Sequence, residues 1–400
     1  MIGGTVAQGF EPVRAAFEAN FARRGELGAA CAAYHRGTRV VDLWGGYRDA
    51  SRTAPWAQDT LVLVYSTSKG LAAMTLALAH SRGWLDYDAA VASYWPEFAQ
   101  NGKGAITVRQ LLSHQAGLCA IDEPLDAARL RDLTGLAEVL ARQRPAWEAG
   151  TRQGYHALSL GWYEGELIRR VDPHHRSLGR FFADEIAQPL GLEFYFGLPT
   201  SVRPGRVATI KGGGVIDAVL HPRGMPAPML AAFLRPSSLT ARVFANPRLR
   251  STAGLDAPEY RVVENPAGGG IGLVRSVARA YGELATGGHT LGLESHTLAE
   301  LTASPRPPTA VTRDQVLMVD AAFSLGFARP GRGFEFGSSE RAFGHPGAGG
   351  SFAFADPDLE LSFAYAPNRL GHHLRDDPRE KALRDALYES VRRSVSRPSA

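Results

Sequence analysis

Apolar positions recur along this chain with two different periods, and each change of period predicts a change of element. Val13, Phe17 and Phe21 stand four apart, so the N-terminal stretch, from Met1 to about Gly25, reads as an amphipathic helix. A hairpin is expected next, from Gly28 to Tyr34, through His35, Arg36 and Gly37, and back from Arg39 to Trp44. Ser66 to about His80 is rich in Ala, Leu and Met and predicts a helix, with Gly83 as its stop. Residues 107–200 mix short helical patterns with turn signals. Residues 201–262 are uneven, carry Gly212, Gly213, Gly214 and many prolines, and read as a long excursion forming a lid or cleft wall. Strand character returns at 323–328, 350–355 and 360–366, the last two joined by a turn at Asp356-Pro357-Asp358. Leu383, Leu387 and Val391 form one stripe of a closing helix over 378–395.

Strands at both ends with helices between them predict an α+β fold. One antiparallel sheet would be assembled from both termini and covered by the terminal helices. Residues 1–70 and 263–400 would form that sheet domain. Residues 71–262 would form an inserted, mainly helical domain that includes the cleft-wall segment 201–262.

Composition narrows the function classes. At 400 residues, 44% hydrophobic and 21% charged, the chain suits a globular protein with a large core. Its 44 Lys+Arg nearly balance 40 Asp+Glu, and no basic run is interleaved with aromatics, so no nucleic-acid partner is expected. No run approaches 18 apolar residues and no signal peptide is visible, so no membrane partner and a cytoplasmic location are expected. Cys31 and Cys119 lie far apart and read as buried thiols. The adjacent pairs His174-His175 and His372-His373 lack ligand spacing, and neither a metal nor an organic cofactor is called for.

Lysine is rare, occurring only at 69, 103, 211 and 381, and Ser66-Thr67-Ser68-Lys69 is the only Ser-x-x-Lys. Residues three apart share a helix face, so the Lys69 amine can reach the Ser66 hydroxyl. An amine serves as base once desolvation lowers its pKa toward neutrality, and the free N–H groups of a helix start add positive potential. The apolar run Leu61 to Val64 would bury the pair, and the Ser66 N–H would be free to bind an oxyanion. Tyr155-His156-Ala157 follows a turn-rich approach that would present Tyr155 at a cleft edge, where a phenol can share proton transfer. His345-Pro346-Gly347-Ala348 starts a strand whose glycines let a substrate come close, with the Ala348 N–H as second oxyanion donor. Taken alone, the last two segments also read as a core aromatic and a Gly-rich strand start.

Together the three segments resemble the serine β-lactamase and penicillin-binding-protein superfamily, whose signature is S-x-x-K, a Tyr- or Ser-headed triplet, then K-T-G or H-x-G on a strand. Leu111-Leu112-Ser113-His114-Gln115-Ala116-Gly117-Leu118 and Asp42-Leu43-Trp44-Gly45-Gly46 extend the likeness to its class C-like branch. The chain is most similar to family VIII carboxylesterases. That resemblance implies a β-lactamase-like fold and a serine esterase acting on short-chain or small neutral esters through a Ser66 acyl-enzyme. Lys69 and Tyr155 would be its general base and acid, and His345, Gly347 and His156 its substrate contacts. Ala157 stands where lactamases carry Asn, and His345 where K-T-G enzymes carry Lys; both departures favour esters over lactams. An acyltransferase or peptide-cyclising enzyme using the same acyl-enzyme is the alternative. β-Lactamase or D-amino-acid peptidase activity comes third, and a non-enzymatic binding protein last. The expected partner is a small-molecule ester or acyl substrate, and oligomeric state is left open.

Overall fold

The structure, a computed structural model, describes residues 2–212, 224–249 and 251–395. Among the described residues, its main sheet is antiparallel and has eight strands. Three strands come from the start of the chain: β1 (Ile2–Val6), β2 (Gly28–His35) and β3 (Thr38–Gly46). A second, three-stranded sheet joins β4 (Val62–Leu63), β6 (Gly270–Gly272) and β5 (Phe194–Phe196). The end of the chain supplies β7 (Ala322–Ser324), β8 (Phe327–Arg329), β9 (Phe343–Pro346), β10 (Phe352–Asp356) and β11 (Leu361–Pro367). The fold is α+β, its main sheet ordered β1-β3-β2-β11-β10-β9-β8-β7, with β2 paired to β11 where the two ends of the chain meet.

Strand alternation explains how the sheet holds helices on both faces. On β10 and β11, Phe352, Phe354, Phe363 and Tyr365 point to one side, and Ala353, Ala355, Ala364 and Ala366 to the other. The aromatic side packs under helix α1 (Glu11–Arg23) and the helix Pro378–Val395, through Val13, Phe17, Leu383, Leu387 and Val391. The alanine side admits the helix Val274–Ala285 so closely that the Ser362 hydroxyl donates to the Ala278 carbonyl at 2.8 Å. Small side chains on one face set a short sheet-to-helix distance, while large ones on the other fill a thicker layer.

Several elements depart from what the sequence pattern predicts. The N-terminal stretch is not helical throughout: Ile2–Val6 forms an edge strand on β3, and the helix starts only at Glu11 with Pro12 in its first turn. The strand expected over 323–328 is two strands. Leu325 and Gly326, at φ +52° and +86°, form the tight turn between them, and both central residues of such a hairpin turn need positive φ. Gly268 and Gly269 lead into the short strand β6, which precedes the helix Val274–Ala285. In the irregular segment, the helices Ala227–Phe233 and Leu239–Phe244 and the turn Thr252–Asp256 build cleft wall. Gly213 and Gly214 lie outside the described residues. Among those described, no helix is long and apolar enough to cross a membrane.

The two faces of the sheet should respond differently to a leucine. Ala364→Leu is expected to destabilise by about 1–3 kcal/mol through overpacking, and Phe363→Leu, near-conserving in volume, by less than about 1.5 kcal/mol. Urea unfolding midpoints of the two variants measure the contrast.

Candidate active site

Ser66 lies in a single 3₁₀ turn, Tyr65–Thr67, between β4 and helix α2 (Ser68–Ser81). Tyr65 has φ +49°, a left-handed conformation that costs a non-glycine residue about 1–3 kcal/mol and persists only when its surroundings enforce it. They do so here. The Val64 N–H donates to Gly270 O at 3.0 Å, the Tyr65 hydroxyl to Thr252 O at 3.2 Å, and the Ser68 hydroxyl back to Tyr65 O. The sharp turn presents Ser66 to a cleft of about 630 Å³.

Lys69 is fully buried in the first turn of α2. Its Nζ lies 3.1 Å from Ser66 Oγ, 2.7 Å from Ala157 O and 2.8 Å from Ala267 O. Burial strips the ammonium of water and lowers the Lys69 pKa to about 7, against a smaller upward pull from Glu164. A neutral amine has two N–H donors and one lone pair. The two carbonyls take the donors, which leaves the lone pair for the Ser66 proton.

Tyr155 lines the cleft with its hydroxyl against Ser66 and its ring centroid 4.7 Å from Lys69 Nζ. The ring is stacked on Phe323 at 5.7 Å and on His345 at 5.9 Å, and meets His114 edge-on at 5.1 Å. Its backbone N–H donates to Asp314 Oδ1 at 3.3 Å, and the same oxygen accepts from the Val316 and Leu317 N–H groups. Burial raises the Tyr155 pKa, so the phenol keeps its proton. Burial thus favours the uncharged form of both the amine and the phenol.

The Ser66 and Ala348 N–H groups make no bond to other described residues, and both residues line the cleft. Gly347 brings them together. A Cβ there would stand 2.2 Å from Ser351 Oγ and 2.5 Å from Val64 O, so only glycine permits this approach. Ser351 clamps the junction structurally, donating to Val64 O at 2.8 Å and meeting Thr67 Oγ1 at 3.1 Å. His345 also lines the cleft. Burial, then the nearby Lys69, lowers its pKa to about 3, so the ring is neutral, and Nδ1–H donates to Pro346 O at 2.7 Å.

His156 corrects its expected role as a substrate contact. It is fully buried, does not line the cleft, and packs against His114 with the two Nδ1 atoms 2.8 Å apart. In an extended segment neighbouring side chains point to opposite sides, so Tyr155 facing the cleft turns His156 inward. Cys31 and Cys119 are buried free thiols, as their spacing suggested.

Two carboxyls of the site carry no motif. Asp314 fixes the Tyr155 backbone, as described above. Glu164, on the helix Ser159–Val171, is fully buried, and neither carboxyl oxygen has a hydrogen-bond partner among the described residues. Burial raises its pKa to about 8, against an opposing pull from Lys69. Each buried group favours the charged form of the other. The acid limb of kcat/KM for a small ester should therefore centre near pH 7, where Lys69 gains its proton and ceases to be a base. With its own pKa near 8 the Glu164 carboxyl is mostly protonated at pH 7, so Glu164→Gln, which mimics that form, should leave the limb nearly in place. Rates between pH 5 and 9 measure both, and a limb that Glu164→Gln moves well below pH 7 would show the carboxyl to be ionised beside Lys69.

The geometry has counterparts among known proteins. A family model described as Beta-lactamase matches residues 13–388. The protein named Esterase/beta-lactamase LipL of Mycobacterium tuberculosis is 33% identical over 362 residues, 90% of this chain and 81% of its own. A crystal structure of a family VIII carboxylesterase has 39% identity and a TM-score of 0.85, covering 98% of this chain and 100% of its own. A penicillin-binding-protein homolog from Caulobacter crescentus has 38% identity and a TM-score of 0.84 over the same shares. Matched along nearly its whole length and folded as these relatives are, the chain belongs to the Beta-lactamase family.

Proposed function

We propose that this protein is a serine carboxylesterase that cleaves neutral esters through an acyl-enzyme on Ser66. The observation that carries this reading is the setting of Lys69, whose two carbonyl partners leave its lone pair to Ser66 Oγ at 3.1 Å. In acylation the Ser66 proton passes to Lys69 Nζ as Oγ bonds to the ester carbonyl carbon. The resulting oxyanion accepts from the Ser66 and Ala348 N–H groups. As the bond to the leaving oxygen breaks, Tyr155 gives that oxygen its proton and is reprotonated by Lys69. Water then repeats the sequence at the acyl carbon, losing its proton to the same pair and releasing the acid and Ser66.

Neutral esters fit better than β-lactams for two reasons. Ala157 offers only its carbonyl, already bonded to Lys69, so no side-chain amide is present there to hold a lactam or peptide amide. His345 is neutral at physiological pH, so this strand gives a substrate carboxylate no fixed positive charge. The relatives named as esterases support the same choice, and the paired name of the M. tuberculosis relative makes lactam hydrolysis the side activity to measure.

Turnover of p-nitrophenyl acetate and butyrate, with a chromogenic cephalosporin alongside, tests the proposal. Wild type should hydrolyse both esters and turn over the cephalosporin slowly. Ser66→Ala should lose at least about 10³-fold in kcat. Full ester turnover by Ser66→Ala would reject the mechanism.

A further inference from the structure

The cleft is much larger than a short-chain ester fills. Its volume of about 630 Å³ is that of a site for a drug-sized ligand. Two separate apolar clusters wall it, one containing Tyr155 and the other Tyr65. Met225, Met229, Phe233 and Leu317 pack in one cluster with Tyr155. Leu158, Leu249, Leu255 and Leu370 pack in another with Tyr65, the residue before the nucleophile. The buried cation at the cleft edge is already committed: the Arg329 guanidinium donates to the carbonyls of Ala342, Leu301 and Ala303. Arg375 donates to the Asp320 carbonyl at 2.7 Å.

Resting on the esterase reading, we infer that the substrate is an ester apolar on both sides of the carbonyl, with a medium-length or aryl acid and a bulky apolar alcohol. The proton path sets its direction. Tyr155 protonates the leaving oxygen, so the alcohol lies along the Tyr155 wall of Met229, Phe233 and Leu317. The acyl chain lies along the Tyr65 wall of Leu249, Leu255 and Leu370. Leu255 reads the length of the acid and Met229 the bulk of the alcohol. A substrate with short, polar arms would leave both walls bare and forgo their contribution to binding.

The experiment varies the two arms independently. The acyl series is p-nitrophenyl acetate, butyrate, hexanoate, octanoate and decanoate. The alcohol series is ethyl, butyl and hexyl butyrate, followed by acid release. For wild type, kcat/KM should rise up to about four-fold per methylene in both series, reaching hexanoate or octanoate before it levels. Leu255→Trp, which fills the acyl side, should flatten the acyl series more than the alcohol series, and Met229→Trp the reverse. Leu255→Ala and Met229→Ala, which remove wall instead of adding bulk, should reduce the same slopes and guard against a misfolded Trp variant. A wild-type series that falls from acetate onward, or variants that change both slopes equally, would overturn the assignment. Acetate turnover lost in Ser66→Ala would leave the esterase reading standing even then, so the two failures are distinguishable.

Discussion

The desolvation of one amine is the constraint on which the site depends. Lys69 is buried with no carboxylate hydrogen-bonded to it, and its partners are two backbone carbonyls and the nucleophile. Both protonation states fit the same three contacts. The ammonium has three donors for three acceptors, and the neutral amine has two donors for two carbonyls and a lone pair for the hydroxyl. A proton can therefore arrive and leave without rearrangement, which is what a general base near neutral pH requires.

Those partners also tie the molecule together. Ser66 lies in the turn just before α2, Ala157 two residues beyond Tyr155, and Ala267 just before β6, so Lys69 joins three segments far apart in sequence. The sheet brings in the fourth. Gly347 passes against Val64 and Ser351, which sets the Ala348 N–H beside the nucleophile turn. The alanine face of β10 and β11 holds the helix Val274–Ala285 close, and the aromatic face locks the terminal helices beneath. The positive φ at Tyr65 persists because all of these contacts act at once.

Much of this was legible in residue order, and the exceptions have physical causes. The Ser66–Lys69 spacing, the hairpin at 28–46 and the stripe Leu383, Leu387 and Val391 follow from local periodicity, which the sequence carries directly. Ile2–Val6 has no alternating pattern, because it is a half-buried edge strand with two glycines. The break in 323–328 depends on Leu325 adopting positive φ, which a leucine does not advertise. Asp314 left no signal, since its role is to gather backbone N–H groups. Glu164 did leave one: with Leu160, Tyr163 and Leu167 it occupies the buried stripe of its helix, and an acidic residue on such a stripe marks an unusual environment. His156 was misplaced because a tyrosine triplet does not say which of its members faces inward.

Direct titration of the lysine side chains is the closest test of the central claim. The chain has only four lysines, so lysine labelled at Cε gives four resolvable NMR signals, assigned by Lys-to-Arg variants. Lys103 is also lowered by burial, to about 8, and its assignment with Lys103→Arg removes the one competing signal. The Lys69 signal should titrate near pH 7, and Glu164→Gln should leave that midpoint nearly in place. A Lys69 signal that stays in the ammonium position up to pH 10 would contradict the account, because the amine could then not take the Ser66 proton.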